Sequence, residues 1–84
     1  MFAVYILQSQ LNKKYYVGFT SNIFDRVNHH NSGANKSTRS GRPWKLIYKE
    51  YFSHKKSAWL REKQIKSYKG GEAFKKLLDT GGVA

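Results

Sequence analysis

Two short apolar segments near the N-terminus are rich in strand-forming residues and are separated by a polar turn. The first is Phe2 to Leu7, the second is Lys14 to Thr20, and Ser9 to Lys13 lie between them. Short apolar runs of residues with high strand propensity, joined by a turn, are typical of paired strands. The pattern therefore predicts a β-hairpin.

Because successive side chains of a strand point to opposite faces, the apolar positions also restrict the register of this hairpin. One strand has its apolar residues at Phe2, Val4 and Ile6, and the other at Tyr15, Val17 and Phe19. Matching the two faces requires odd-numbered residues to pair with even-numbered ones. One such register pairs Tyr5 with Tyr16 and Ala3 with Gly18. Both tyrosines would then lie on the face of the hairpin opposite the apolar one. Ala3 and Gly18, which are small, would leave space beside them for a ligand.

Capping residues predict a helix directly after the hairpin. Ser21 or Asn22 can accept its first free N–H groups, and Asp25 lies in the first turn, where the helix dipole stabilises a carboxylate. Ile23 and Val27 are four residues apart, which is the spacing of a buried helical stripe.

Two basic side chains accompany this stripe. His30 continues it, and Arg26 precedes His30 by four residues, so the two are neighbours on the helix surface. A histidine in an apolar stripe is more often structural than functional, and both interpretations stay open at this point. His29 points elsewhere and is expected to face solvent.

Residues 31–43 are polar, small or basic, and the segment is predicted to be a loop with almost nothing to bury. It is longer than most connections in a compact domain. Lys36, Arg39 and Arg42 recur every third residue with hydroxyl groups between them, which suits contacts to phosphate. A nucleic-acid-binding loop is favoured over the alternative, a flexible linker.

The second half of the chain predicts one strand and two helices. In the strand, Trp44 to Phe52, one face is expected to carry Trp44, Leu46, Tyr48 and Phe52, and the other Ile47 and Tyr51. A helix follows from Ser53 or His54 to about Lys69. After Gly70 and Gly71 a short helix covers Glu72 to Leu78, with Phe74, Leu77 and Leu78 docked on the core.

Glu62 is the most informative of the five acidic residues, because it lies in an apolar arc of the long helix with Ala58 and Ile65. A carboxylate among apolar side chains costs free energy unless it meets a cation, a hydrogen-bond donor or a metal. A metal-binding role is one interpretation. The other is a structural ion pair with Arg26 or with a neighbour of Arg61.

Composition and charge narrow the class of protein. Sixteen Lys and Arg residues against five Asp and Glu give a net charge of +11 on 84 residues, which attracts polyanions through steering and counterion release. The chain lacks cysteine, so disulfides and thiolate metal sites are excluded. No apolar run approaches the roughly 18 residues of a membrane span. Without a signal-peptide leader we expect a cytoplasmic protein, with no membrane association and no obligate protein partner.

Several of these residues together resemble the GIY-YIG nuclease superfamily. The resemblance is carried by Val4-Tyr5-Ile6, Tyr16-Val17-Gly18, Arg26, His30 and the helical segment Ala58 to Lys66. It covers roughly residues 2 to 78 and is strongest to small stand-alone bacterial members of the UPF0213 type. Each motif is short, but their order and separation make the combination specific. The first motif lacks the family's glycine, and no asparagine follows Asn35, whereas many members have one after the glutamate-bearing helix.

The resemblance implies an α+β fold with a small three-stranded antiparallel sheet flanked by about three helices. It also implies a metal-dependent DNA endonuclease. The catalytic positions that match the family are Tyr5, Tyr16, Arg26, His30 and Glu62, with Glu62 binding Mg²⁺ (or Mn²⁺). Nucleic-acid contacts are expected from Gly18, Thr20, Lys36, Arg39 and Arg42. Residues 2–80 are predicted to form one domain, and 81–84 a frayed tail.

These residue types also suit phosphodiester hydrolysis on chemical grounds. A hard cation needs only one carboxylate with waters and substrate oxygens, and Arg26 offers a fork of donors to the phosphate. Tyr5 or Tyr16 is expected to orient or deprotonate the attacking water, with His30 relaying the proton or binding phosphate. A phenol has a pKa of about 10, so as a base it needs positive charge nearby.

Two other functions fit the composition. One is a non-catalytic nucleic-acid-binding module of the same fold, and the other is a structural protein of ribonucleoprotein particles, which would favour RNA. For the endonuclease, a role in DNA repair or processing is expected. Because the chain has no room for an added sequence-reading domain, we expect a preference for DNA structure or single strands over a long recognition site.

Overall fold

A computed structural model describes residues 1–80 and shows an α+β fold. Its elements are β1 (Phe2–Ser9), β2 (Tyr15–Thr20), α1 (Ile23–Ser32), a short 3-10 helix (Arg39–Gly41), β3 (Trp44–Phe52), α2 (Lys55–Ser67) and α3 (Glu72–Asp79). The strands form an antiparallel sheet in the order β2-β1-β3. The predicted fold class is thereby confirmed. The tail predicted for residues 81–84 lies outside the described residues.

The predicted hairpin and its odd-to-even pairing are confirmed, but the register given as one possibility is wrong by two residues. Tyr5 pairs with Gly18, and Tyr16 pairs with Leu7. The turn sets this register, because the buried hydroxyl of Ser9 accepts hydrogen bonds from two backbone N–H groups of the turn. Hydrophobic alternation fixes the face of each residue but does not distinguish registers that differ by two.

Both faces of the sheet are covered, and β1 contributes to two cores. Its even-numbered residues pack against α2 and α3, in a core of Val4, Ile6, Tyr48, Ala58, Ile65 and Phe74. Its odd-numbered residues pack against α1, in a core of Ala3, Tyr5, Leu7, Ile23 and Trp44, with Tyr16 against it. We call the first the α2–α3 face and the second the tyrosine face. The alternation of β1 therefore places Tyr5 in one core and Val4 and Ile6 in the other.

Helix α1 begins where its sequence predicts and extends two residues into the segment predicted to be a loop. Asn22 is the N-cap, with its side-chain oxygen accepting a backbone N–H of the first turn, and Gly33 ends the helix in the left-handed conformation with φ 82°. Ile23 and His30 are buried, and His29 is exposed. The stripe therefore carries His30 into the protein.

Residues 31–43 are more ordered than the predicted loop. The first two belong to α1, and the 3-10 helix lies near the other end. Thr38 and Gly41 are buried. The Ser9 hydroxyl donates to the Gly41 carbonyl at 2.6 Å, and the Trp44 indole N–H donates to the Thr38 carbonyl at 2.7 Å. The prediction that this segment buries almost nothing is therefore wrong, because its small and hydroxyl residues pack on the tyrosine face.

A β-bulge changes the facing of β3. The pairing with β1 skips Ile47, and an inserted residue of this kind moves the preceding side chains to the other face. Trp44 and Leu46 consequently join the tyrosine face. Tyr48 and Phe52 lie on the α2–α3 face. The predicted single face for these four residues is wrong, because uniform alternation assumes that no residue is inserted.

Helices α2 and α3 complete the second core. Ala58, Ile65 and Phe74 are buried there, and the other apolar residues predicted for α3 pack against them. Helix α2 ends at Ser67, two residues before the predicted end. Among the helices of residues 1–80, none is long and apolar enough to cross a membrane.

Candidate active site

A buried chain of hydrogen bonds lies at the centre of the tyrosine face. Tyr5 Oη is 3.0 Å from His30 Nε2, and His30 Nδ1 is 2.8 Å from Thr38 Oγ1. The Thr38 hydroxyl donates to the Asn35 carbonyl at 3.4 Å, so it is free to accept from Nδ1–H of His30. This leaves Nε2 without a proton, as the acceptor for the Tyr5 hydroxyl. The chain therefore orients the Tyr5 O–H toward His30.

Burial determines the protonation states of Tyr5 and His30 in this hydrogen-bonded row. It raises the pKa of the Tyr5 phenol well above its usual value, with a further contribution from Tyr16. Arg26 opposes that rise in the pKa of Tyr5, and Glu62 adds to it. Burial also lowers the pKa of His30, and the charge of Arg26 lowers it further. Near neutral pH Tyr5 is therefore a neutral hydroxyl and His30 a neutral imidazole. The charged side chains of Arg26 and Glu62 are both close enough to shift the pKa of Tyr5.

The geometry of the two tyrosines depends on Gly18. The Tyr16 ring lies 6.3 Å from the Tyr5 ring and 4.7 Å from the His30 ring, measured between centroids. A Cβ atom at Gly18 would lie only 2.6 Å from Tyr5 Oη and 3.2 Å from the Tyr16 ring. Because glycine has no side chain here, the Tyr5 ring extends across β2 toward the edge of the sheet. Tyr5 and Tyr16 are thus brought together on one face, as predicted.

Arg26 lies on the exposed side of α1, at the entrance to this face. It lines a cleft of about 280 Å³ together with Thr20, Ser21, Asn22, Asp25 and His29. Neither of the two ion pairs found in residues 1–80 involves Arg26. Its guanidinium is therefore free to bind an anionic ligand.

Glu62 lies on the side of α2 that carries the buried residues Ala58 and Ile65. Its side chain is 14% exposed, and its carboxylate is 3.6 Å from Lys66 Nζ. An ion pair is thus present, but with Lys66 and not with the predicted alternative, Arg26. Because Lys66 is an exposed partner, the pair contributes little to stability. The carboxylate can exchange this lysine for another cation.

A single hard divalent cation fits this carboxylate. Residues 1–80 contain no group of three or more His, Cys, Asp or Glu side chains that could hold a metal. Mg²⁺ usually keeps several of its waters and takes one or two carboxylates plus substrate phosphate. A metal held by Glu62 would therefore complete its coordination with water and with the substrate.

The remaining residues predicted to contact nucleic acid are distributed unevenly. Thr20 is buried, and its hydroxyl accepts the Asn22 N–H at 3.1 Å, so it stabilises the turn into α1. Lys36, Arg39 and Arg42 are exposed in the segment that covers the tyrosine face.

The two arginines of this segment also brace its backbone. Arg39 Nε donates to the Gly33 carbonyl, and Arg42 Nε donates to the Arg39 carbonyl, both at 2.9 Å. Each guanidinium has further N–H groups beyond the one used here. Bracing the segment and binding phosphate are therefore compatible.

Three residues of the site were missed from the sequence. Thr38 orients His30, and Asn31 binds the backbone N–H and C=O of Trp44 at 2.6 Å and 3.1 Å, which ties α1 to β3. Lys49 pairs with Tyr5 across β1 and β3, so it shares the tyrosine face. A threonine and an asparagine in a polar segment carry no signal that predicts these contacts, since each depends on a residue distant in the chain.

Comparison with known proteins defines the class of this one. Residues 1–75 match the model of the GIY-YIG catalytic domain. The chain therefore belongs to the GIY-YIG family, and the resemblance inferred from its motifs is confirmed. The GIY-YIG domain characterises a superfamily of nucleases that typically use a divalent metal.

Particular relatives are proteins of the UPF0213 group. The chain is 37% identical over 75 residues to one from Staphylococcus haemolyticus, covering 88% of this chain and 90% of the relative. It is 42% identical over 64 residues to one from Clostridium perfringens, covering 75% and 68%. The solution NMR structure of a UPF0213 protein from Bacillus halodurans resembles it with a TM-score of 0.55 at 29% identity, over 95% of this chain and 84% of that one.

The pKa of His30 predicts a pH-dependent stability. Its folded-state pKa is lowered, so between that value and about 6.5 the unfolded chain binds more protons. We expect the free energy of unfolding to fall as the pH drops through this window, as measured by urea unfolding at about pH 7.5 and about pH 5.5. His30→Gln should remove this part of the pH dependence. His54→Gln, at an exposed histidine, should retain it, and equal behaviour of the two variants would contradict the assignment.

Proposed function

We propose that this protein is a metal-dependent endonuclease that hydrolyses phosphodiester bonds in DNA. The main support is the hydrogen-bonded row of Tyr5, His30 and Thr38, in a protein that belongs to a nuclease family. The charges of Arg26 and Glu62 both act on the pKa of Tyr5 in this row. The net charge of +11 supports a polyanionic substrate.

In this proposal Arg26 and Glu62 bind opposite charges. Glu62 would hold one Mg²⁺ or Mn²⁺ ion, which would supply Lewis-acid polarisation of the phosphate and lower the pKa of a water molecule. Arg26 donates hydrogen bonds to the non-bridging phosphate oxygens, where negative charge increases in the transition state. Its free guanidinium in the cleft beside α1 supports this role.

Tyr5 and His30 provide a path for the proton of the attacking water. As the water oxygen bonds to phosphorus and the P–O bond to the leaving oxygen breaks, Tyr5 Oη accepts the water proton while its own proton passes to Nε2 of His30, which becomes an imidazolium with Nδ1–H still bonded to Thr38. Solvent water gives a proton to the leaving oxygen and later takes the extra proton from the site. The raised pKa of Tyr5 disfavours a free phenolate, so the two transfers occur together. Because His30 is fully buried, relay is favoured over direct phosphate binding. Half-buried Tyr16 lies beside both rings and orients the water.

We propose DNA that contains unpaired or branched regions as the substrate. The exposed Lys36, Arg39 and Arg42 on the tyrosine face support contacts to phosphate, which carry no sequence information. RNA is the alternative substrate. A role in DNA repair or processing in the cytoplasm completes the proposal.

Incubation with defined nucleic acids tests this function. Purified protein is combined with single-stranded, duplex and branched DNA and with single-stranded RNA, with and without Mg²⁺. We expect strand scission of DNA only with the metal, and faster scission where unpaired strand is present. Salt-sensitive binding without scission would instead identify a non-catalytic binding module. A preference for RNA would favour a role in ribonucleoprotein particles.

A further inference from the structure

Two clefts lie along the outer edge of the sheet, between β2 and α2, and together we call them the groove. Strand β2 lies at the edge of the sheet. Two clefts open beside it, of about 350 Å³ and about 520 Å³. The walls of the first include Tyr15, Phe74, Lys66 and Lys69. The second is lined by Phe19, Trp59, Lys55 and Lys56.

The two clefts lie on either side of Glu62. On α2, Trp59 precedes Glu62 by three residues and Lys66 follows it by four, so the three share one side of the helix. On β2, the clefts adjoin Phe19 at one end and Tyr15 at the other. The groove therefore passes the carboxylate proposed to bind the metal.

The first cleft is also continuous with the tyrosine face. Tyr16 lines this cleft and lies beside the rings of Tyr5 and His30. Lys66 lines the same cleft and contacts Glu62. A ligand in the groove would therefore reach the candidate active site without crossing another element.

Each cleft combines an exposed aromatic ring with lysines. Trp59 is 41% exposed, and Lys63 Nζ lies 4.3 Å from its ring centroid. Tyr15 is 47% exposed, and its ring packs edge-on against Phe74 at 5.0 Å. Grooves that bind single strands use aromatic rings to stack bases and basic side chains to follow the phosphates. Both components occur here at two places along one groove.

We propose that this groove binds an unpaired nucleic-acid strand that runs past Glu62, with one base stacked on Trp59 and another on Tyr15. This inference rests on the proposed function, and it specifies an unpaired strand next to the scissile bond as the substrate. The dimensions agree. Tyr15 and Phe19 are four positions apart along the strand, a rise of about 13 Å, which matches about four stacking steps of a nucleic-acid strand at ~3.4 Å each.

Fluorescence anisotropy of a labelled 12-nucleotide thymidine strand, without divalent metal, tests the groove because it measures binding without cleavage. Trp59→Ala should weaken binding of the strand about five- to a hundredfold. Leu60→Ala removes an apolar side chain that is also exposed and lies one residue further along α2, and it should bind like the wild type. An unchanged affinity in Trp59→Ala, or equal losses in both variants, would contradict the proposal that the strand binds in this groove.

A pair of charge reversals tests the path of the phosphates. Lys56→Glu alters the groove, whereas Lys45→Glu makes the same change on β3, at the opposite edge of the sheet. We expect Lys56→Glu to weaken binding and to reduce the slope of log K against log salt by about 0.7 for each phosphate that the variant no longer neutralises. A larger loss of binding in Lys45→Glu than in Lys56→Glu would contradict the proposed path of the phosphates.

Cleavage assays separate this inference from the proposed function. If the wild type cuts DNA with Mg²⁺ and Trp59→Ala binds and cuts equally well, the proposal that the groove binds the strand is wrong and the nuclease proposal stands. If the wild type binds the thymidine strand through Trp59 but cuts no DNA with Mg²⁺, the nuclease proposal fails and the groove stands.

Discussion

Glu62→Gln is expected to abolish metal-dependent cleavage while the protein stays folded and binds DNA. Glutamine has nearly the same shape as glutamate but lacks the charge that holds a hard divalent cation. A bound metal contributes several kcal/mol of transition-state stabilisation. Because each ~1.4 kcal/mol corresponds to a factor of ten in rate, we expect a loss on the order of a thousandfold or more.

The measurement is the initial rate of DNA cleavage as a function of Mg²⁺ concentration, with anisotropy as a parallel measure of binding. Glu72→Gln is the matched control, since it makes the same change at an exposed position in the first turn of α3. It should retain the wild-type rate. Wild-type cleavage by Glu62→Gln would rule out this carboxylate as the metal ligand.

Tyr5→Phe is expected to reduce cleavage by about a hundredfold to ten-thousandfold, the usual contribution of a general acid or base. The change removes the hydroxyl that links the attacking water to His30. It also leaves Nε2 of His30 buried without a partner, which costs about 1–3 kcal/mol of stability. A loss of activity alone would therefore not separate catalysis from stability.

Tyr48→Phe makes that separation possible. Tyr5 and Tyr48 are each 2% exposed, but Tyr48 lies on the α2–α3 face and donates its hydrogen bond to Glu50 at 2.8 Å. Thermal unfolding and cleavage rates are compared for the two variants. We expect both to lose stability and only Tyr5→Phe to lose cleavage. Parallel losses of cleavage in both would show that Tyr5 acts through stability alone.

Much of the fold was predictable because its signals are local. The alternation in the hairpin assigned each residue of β1 to the correct face, and the Asn22 cap located the start of α1. The facing of β3 was not predictable, because the bulge at Ile47 leaves no trace in a pattern of apolar and polar residues. The same is true of the hairpin register, which depends on hydrogen bonds to Ser9.

The candidate site was predictable in its members more than in its arrangement. Short motifs in the sequence predict Tyr5, Arg26 and Glu62 as members of the site without any information on their spatial neighbours. Gly18 admits the Tyr5 ring because the two residues pair across the hairpin, whereas the register first considered placed Gly18 opposite Ala3. Thr38 could not be found at all, since its hydrogen bond with His30 requires the 31–43 segment to fold back on the sheet.

By itself the sequence determined the order of the helices and strands, the faces of the central strand, the net charge and the family, because periodicity, capping residues, charge and motifs are properties of neighbouring residues. The tertiary structure alone decided which side chains meet. Tyr5 and His30 are 25 residues apart in the chain, and their hydrogen bond depends on the strand register, the helix position and the packing of the segment above them. Such interactions follow from the folded chain as a whole, and no local pattern contains them.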